Sequence, residues 1–229
     1  MMRRVWAMAD THLSLANPKP MDIFGSHWLN HASRMLVQCE KLIQSDDLLL
    51  IPGDISWAMK RKDAEVDLKF LATFPGIKVL CKGNHDYWWD SDRPLRFDGL
   101  NDTPYVLPGN LLGIAGTRGW IPISPSMSSD EKDSTQHIIT REMARLAKRL
   151  DSIKMCESKI VMLHYPPIEE FKRILIDNGV STILYGHLHI GGNEQVLPET
   201  WNGMKSLCVA SDRINFTPRL VQTIRDSEN

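Results

Sequence analysis

Five short apolar runs, each the length of a buried strand and each stopping at a polar cluster, constrain this chain more than any other feature. Residues 5–9 (VWAMA) stop at Asp10-Thr11-His12, and residues 48–52 (LLLIP) at Gly53-Asp54. Residues 77–81 (IKVLC) lead to Gly83-Asn84-His85-Asp86, residues 160–163 (IVML) to His164, and residues 182–185 (TILY) to Gly186-His187-Leu188-His189. Runs of four or five apolar residues bounded by turn signals read as buried strands. Helical patterns lie between them, which predicts an α/β layered fold. In such folds the loops beyond the carboxyl ends of the strands form the ligand-binding edge. The sequence therefore predicts that these five polar ends meet at one edge.

Between the strands, the spacing predicts a helix from about Ser26 to Ile43, with Trp28, Leu29, Ala32, Met35, Leu36, Cys39, Leu42 and Ile43 on one face. A second is predicted over 63–74 with Val66, Phe70 and Leu71 inward, and a third over 131–153 with Ile138, Met143, Leu146, Leu150 and Ile153 as the buried stripe. Residues 105–107 and 111–115 read as strands around a Pro-Gly-Asn turn, 118–129 as an exposed loop, and 206–210 and 219–224 as the last strands. With no repeat, linker or low-complexity tract, the 229 residues are expected to form a single domain over 1–229.

Charge narrows the partners. A formal net charge of −1 supplies no basic field, so an extended nucleic-acid surface is not expected. The run Lys60-Arg61-Lys62 reads as a solvated face. Cys39, Cys81, Cys156 and Cys208 are far apart with no C-x-x-C pair, and read as reduced thiols. The basic start MMRR is followed by too short an apolar run for a signal peptide, and no stretch approaches a membrane span. A cytoplasmic location is expected.

The polar clusters carry oxygen and imidazole donors, the ligand types that suit two hard or borderline ions held about 3.5–4 Å apart by a shared carboxylate. An Asp-x-His pair at a strand end offers a carboxylate and an imidazole, Asn84 a neutral carbonyl oxygen, and His187 and His189 two imidazoles for two different ions. Two divalent ions against Asp10 and Asp54 leave a charge of about +2, suited to a phosphate and a hydroxide. Taken singly, Asp10-x-His12, Gly53-Asp54 and His164 are ordinary turn and strand-end chemistry. A given tetrapeptide such as GNHD or GHLH arises by chance roughly once in 10⁵ positions. The ordered set carries the signal.

That set, D-x-H, G-D, G-N-H-D, H and G-H-x-H, resembles the signature of the calcineurin-like metallophosphoesterase superfamily, and it spans residues 10–189. The resemblance implies two mixed β-sheets packed face to face with flanking helices, a four-layer fold. It also implies one metal on Asp10, His12, Asp54 and His189, and a second on Asp54, Asn84, His164 and His187, with Asp54 bridging. His85 would not ligate metal but would stabilise the transition state and protonate the leaving oxygen. Asp86 is grouped with His85 at the catalytic step, orienting its neighbours rather than reacting. The Ser/Thr protein phosphatase branch follows its Gly-Asp with a second aspartate and an arginine; here the chain reads Gly53-Asp54-Ile55-Ser56-Trp57. It looks closer to the compact bacterial phosphohydrolases.

The expected reaction is therefore hydrolysis of a phosphoric ester by in-line attack of a metal-bridging hydroxide, with manganese, iron or zinc as the two divalent or trivalent ions. The phosphorylated substrate is expected to be small or nucleotide-like. Monoester and diester both remain open, as does oligomeric state. The alternative is a catalytically silent scaffold of the same fold that binds a partner. Arg118, just beyond residues 113–115, is a candidate clamp for a substrate phosphate. Tyr87, Trp88, Trp89, Trp57 and Trp120 can either stack on a substrate ring or pack the core. His27, His31 and His137 are assigned no role.

Overall fold

Alternation of side chains along the first strands decides the architecture. In the computed structural model, which describes residues 2–89, 104–192 and 195–225 and the backbone of 98–99, β1 (Met2–Ala7), β2 (Leu48–Pro52), β3 (Ile77–Cys81) and β4 (Asp98–Gly99) belong to one sheet. Val5, Ala7, Leu48, Leu50 and Val79 point to one side of it; Trp6, Met8, Leu49, Ile51 and Leu80 point to the other. Both sides are buried, which is why these strands read as unbroken apolar runs.

The second sheet contains β5 (Tyr105–Val106), β6 (Leu112–Thr117), β7 (Ser158–Leu163), β8 (Thr182–Tyr185), β9 (Thr200–Trp201) and β10 (Met204–Cys208), while β11 (Arg219–Arg225) returns to the first. The orders are β11-β1-β2-β3-β4 and β5-β6-β7-β8-β10-β9. Both sheets are mixed: β11 is antiparallel to β1, β5 to β6 and β9 to β10, whereas the central pairs are parallel. Their inner faces share one core, in which Val5, Leu50 and Val79 meet Ile114, Ile160, Met162 and Leu184. The helices α1 (His31–Leu42) and α2 (Arg61–Ala72) cover the outer face of the first sheet, and α3 (Ser129–Ser152) and α4 (Glu169–Asp177) that of the second. The result is the expected four-layer α/β arrangement.

Differences from the sequence expectations have local causes. The helix expected from about Ser26 begins only at His31; Ser26–Trp28 is a 3-10 turn, preceded by another at Met21–Phe24. Asn30 adopts a left-handed conformation (φ 54°) that interrupts any continuous helix, and Leu29 is exposed. On α2 the inward residues are Ala64, Asp67, Leu68 and Leu71, while Val66 faces solvent. A buried carboxylate disguised that face: Asp67 accepts from the Leu15 backbone N–H at 2.7 Å and from the Ser56 hydroxyl. On α3 Ile139 rather than Ile138 is fully buried, and a Ser128–Glu131 capping box starts the helix. The helix α4 was not read from the sequence although Phe171 and Leu175 mark its buried face, and the edge strand β9 is only two residues long.

All four cysteines are buried free thiols. No helix among the described residues is long and apolar enough to cross a membrane.

Asp47, just ahead of β2, shows how a buried charge is retained. It is 0% exposed and accepts from the backbone N–H groups of Arg4 (2.9 Å) and Gln44 (2.9 Å), from the Trp6 indole (3.1 Å) and from the Arg4 guanidinium (2.9 Å). Burial pushes its carboxyl up, but these donors outweigh it and hold the pKa below the ordinary value. A depressed folded pKa gives stability that is present above about pH 4 and lost as pH falls through the folded value. Asp47→Asn is expected to cost about 1–3 kcal/mol at pH 7. The gap from wild type in thermal unfolding should narrow below about pH 4. A gap that persists unchanged in acid would show that shape, not charge, is what Asp47 contributes.

Candidate metal centre

Every polar cluster read from the sequence lies beyond a strand end at the same edge. The first two are laced together through their backbones: the N–H of Asp10 donates to Gly53 O (2.9 Å), that of His12 to Asp54 O (3.0 Å) and that of Leu13 to Ile55 O (2.9 Å). Parallel pairing of β1 with β2 makes this register unavoidable. The lacing is accompanied by strain. Asp10 (φ 56°), His12 (φ 42°), Asp54 (φ 52°) and His187 (φ 68°) all occupy the left-handed region that L-residues avoid. Aspartate, histidine and asparagine enter that region more readily than other side chains, and four of the five further cases among the described residues are asparagines. Such strain collects at functional sites, where it aims side chains that a relaxed turn would not.

Glycine precedes three of these clusters, and at two of them the reason is a neighbouring carboxylate. A Cβ at Gly83 would run into the Asp54 carboxylate, and one at Gly186 into that of Asp10. In both places the glycine makes room for a neighbouring carboxylate.

The donor atoms converge. Asp10 is fully buried, and both its oxygens accept from the His187 N–H at 3.0–3.1 Å. The Nε2 atoms of His12 and His189 lie 3.2 Å apart, with Asp10 Oδ1 3.8 Å from the latter. Asp54 Oδ2 is 3.9 Å from His12 Nε2 and 3.3 Å from His164 Nε2. Asn84 Oδ1 lies 2.7 Å from His164 Nε2 and 3.1 Å from His187 Nδ1. Two triads, Asp10–His12–His189 and Asp10–Asp54–His164, have donor atoms close enough to share an ion. They have Asp10 in common, and Asp54 Oδ2 spans the gap between His12 and His164.

The surroundings fix which nitrogen is free. The Nδ1–H of His164 donates to Pro52 O at 3.1 Å, and the Nδ1–H of His189 to Asp212 Oδ1 at 3.1 Å. In both rings Nε2 is left facing the cluster, the orientation in which outer partners hold metal-binding histidines. The electrostatics show a site short of positive charge. Burial pushes Asp10 up to about 7 despite His164 and His189 beside it. Burial opposes the charged form of His164, yet Asp54 and Asp10 drive its pKa up to about 9. Burial also raises Asp54, but His164 and His12 hold it well below the carboxylate range. Burial takes His12 down to about 3, and burial with His164 takes His187 down to about 4. His164 Nε2 lies 3.3 Å from Asp54 Oδ2 and 2.7 Å from Asn84 Oδ1, so the three donor atoms are grouped as a cation would need them. All donors are oxygen or imidazole nitrogen. The residues therefore fit a pair of hard or borderline cations.

His85 and Asp86 part company. The His85 N–H donates to Asp54 Oδ1 at 2.8 Å, while its ring remains 34% exposed with Nε2 4.0 Å from Asp54 Oδ2. Burial lowers its pKa. Asp86 is fully buried and accepts from Gly83 N (2.8 Å), Ile55 N (2.9 Å), Ser56 N (3.2 Å) and Trp88 Nε1 (3.1 Å). It bolts the Gly83–His85 turn to the Asp54–Ser56 turn and has no face toward the cluster's open side. Arg118 lies alongside: its carbonyl accepts from the N–H groups of His164 (3.1 Å) and Tyr165 (3.0 Å), and its guanidinium sits over Trp120 at 4.4 Å. Its buried Nε has no hydrogen-bond partner.

Two cavities flank the cluster. One of about 390 Å³ lies against His12, His85 and His189 and is walled by Met21, Phe24, Trp28 and Trp57. One of about 240 Å³ lies on the His187 side against Trp120 and Tyr165. The aromatic residues divide accordingly. Trp88 and Trp89 are core and Tyr87 is exposed, but Trp57 stacks on His12 at 4.7 Å and sits 4.2 Å from the His85 ring.

Sequence reasoning missed Asp212. It follows β10, whose end is drawn to β1 by the Ala9–Ala210 bridge, and it is a sixth polar cluster beyond an apolar run. The rule that found the other five would have found it. His31 was also passed over; its ring nitrogens lie 3.3 Å from His12 O and 3.2 Å from Trp28 O, holding the turn that carries His12.

The sequence matches the model of the calcineurin-like phosphoesterase family over residues 3–191. No curated protein matches it. Among solved structures, it is similar to a protein of unknown function from Aquifex aeolicus, with 15% identity, 95% of each chain covered and a TM-score of 0.53. It is also similar to the sulfate thiohydrolase SoxB of Thermus thermophilus, solved with glycerol, with 11% identity, 92% of this chain and 52% of that chain covered, and a TM-score of 0.50. At such identities these two share the fold alone.

Proposed function

The chain belongs to the calcineurin-like phosphoesterase family, and we propose that it hydrolyses a phosphoric ester at a dinuclear metal centre. The observation that supports this most directly is the pair of histidines whose Nδ1–H groups are committed to Pro52 O and Asp212, leaving Nε2 turned toward two buried carboxylates. Asp10, His12, Asp54 and His189 would hold one ion, and Asp54, Asn84, His164 and His187 the other. The ions, when bound, supply Lewis acidity toward the phosphoryl oxygens and lower the pKa of water.

The chain's own residues do the rest. Asp54 is placed to serve both ions because Oδ2 lies between His12 and His164 while Oδ1 is held by the His85 N–H. That same hydrogen bond holds His85 next to Asp54, with a ring one-third exposed that would donate a proton to the leaving oxygen. Asp86 positions His85 through the turn it bolts down. Arg118 is the weaker candidate, an unpartnered donor for a substrate oxyanion.

The direct test is to reconstitute the protein with manganese, iron or zinc and assay phosphomonoesters, linear diesters and cyclic nucleotides. Turnover of at least one class, abolished by chelation and restored by metal, is expected. No hydrolysis of any class with any metal would return the chain to the scaffold alternative.

Asp212 provides a separate check on the metal assignment. It accepts from His189 Nδ1, from Ile190 N (2.7 Å) and from Arg213 N (3.0 Å), so it fixes both the ring and its proton. Removing such a partner weakens metal binding by roughly 10–100-fold. Asp212→Asn is expected to do so for the ion on His189, as read by chelator competition, and unchanged affinity would detach His189 from the centre.

A further inference from the structure

Resting on the phosphoesterase reading above, we propose that the ester's leaving group is hydrophobic and lies in the pocket between the Met21–Phe24 turn and Trp57, beside His85. Hydrolysis forms a bond from a water oxygen to phosphorus and breaks the bond to the leaving oxygen, which takes its proton from His85. The leaving group must therefore lie on the His85 side. What lies there is the larger cavity, about 390 Å³.

Its chemistry is one-sided. Apart from His12, His85 and His189, which belong to the centre itself, the lining is Met21, Phe24, Trp28, Trp57, Ile190 and two glycines. Among the described residues no carboxylate, amide, lysine or arginine side chain lines it, and the nearest cation, the Lys19 ammonium, lies over the Trp57 ring at 4.5 Å. Of the two indoles that line it, that of Trp57 already donates to Met21 Sδ at 3.1 Å. A sugar or a charged group placed here would lose its hydration with little in return. An alkyl chain or an aryl ring would gain from burial. The apolar lining also reaches outward: Phe24 and Ile190 are 61% and 51% exposed. Large apolar side chains grouped at the mouth of a cavity mark a contact surface. The cavity is also within the size range of small-ligand sites.

The alkyl and phenylethyl esters hold leaving-group basicity nearly constant and vary apolar size, while the ammonioethyl ester, a better leaving group, adds a charge. Metal-loaded protein would be assayed with ethyl, butyl, hexyl, 2-phenylethyl and 2-(trimethylammonio)ethyl phosphates, as monoesters and as symmetric diesters. The value of kcat/KM is expected to rise roughly two- to fourfold per methylene from ethyl to hexyl. The phenylethyl ester should exceed the ethyl ester by about tenfold or more, and the cationic ester should fall below butyl. A phenylethyl ester far above hexyl would identify a ring as the natural occupant, and the reverse an alkyl chain; either supports the pocket. Phe24 stands at the exposed mouth, so Phe24→Ala should fold, with metal content as the check. It should cut the hexyl-to-ethyl ratio about five- to tenfold, and Ile190→Ala should act in the same direction. Turnover with a flat series, or ratios unmoved by both variants, overturns the leaving-group assignment alone. Absence of turnover on every ester overturns the phosphoesterase reading and this inference with it.

Discussion

Asp54→Asn is expected to lower turnover by more than about 10³-fold while leaving the fold intact. The carboxylate reaches both groups of donors, with Oδ2 3.9 Å from His12 Nε2 and 3.3 Å from His164 Nε2. Asparagine keeps the volume and can still accept the His85 N–H that Oδ1 now accepts at 2.8 Å, so the turn should hold. What it loses is one of the two negative charges that would balance the ions, and the oxygen able to serve both at once. Elemental analysis should show both metals retained less well. A variant that still holds two ions at wild-type affinity would remove Asp54 from its bridging position and make Asp10, the residue common to both triads, the better choice.

His85→Ala tests the proton donor. None of the proposed ligand atoms belongs to the His85 ring, so metal content should hardly change. The loss of rate should depend on the leaving group. An alkoxide needs a proton in the transition state, so alkyl esters should slow by roughly 10²–10⁴-fold. A nitrophenolate is stable near neutral pH, so aryl esters should slow far less. The comparison must be made where chemistry limits the rate. Equal losses would assign His85 to binding the phosphoryl oxygens. Loss of an ion would make it structural, acting through the hydrogen bond from its backbone to Asp54.

The sequence determined the strands and the edge they share. Residues 48–52, 77–81 and 182–185 are strands with the very bounds their runs marked, because strands buried on both faces are apolar at nearly every position and stop at turn residues. The seven proposed ligands were legible for a related reason. Each is a polar residue placed where an apolar run must stop, and the order of the clusters carried the family resemblance. The helices were less legible. The inward face of α2 contains Asp67, whose charge is sheltered by Ser56 and by Leu15, two contacts remote in sequence. The break before α1 depends on one asparagine taking a left-handed conformation.

Tertiary structure alone decided how the clusters meet. That Asp212 backs His189 follows from β10 closing onto β1 at Ala9–Ala210, a pairing of residues two hundred positions apart that no local pattern encodes. That Asp86 ties two turns together follows from four donors converging on it, two from Ile55-Ser56 and two from the stretch 83–88. The aromatic pocket was hidden for the same reason. Met21, Phe24, Trp28 and Trp57 show no shared periodicity, and they become one surface only when the turn after β1 folds against the turn after β2. Periodicity reports what a residue does within its own element, whereas a site is made where several elements end, and their mutual placement is fixed by the packing of the two sheets.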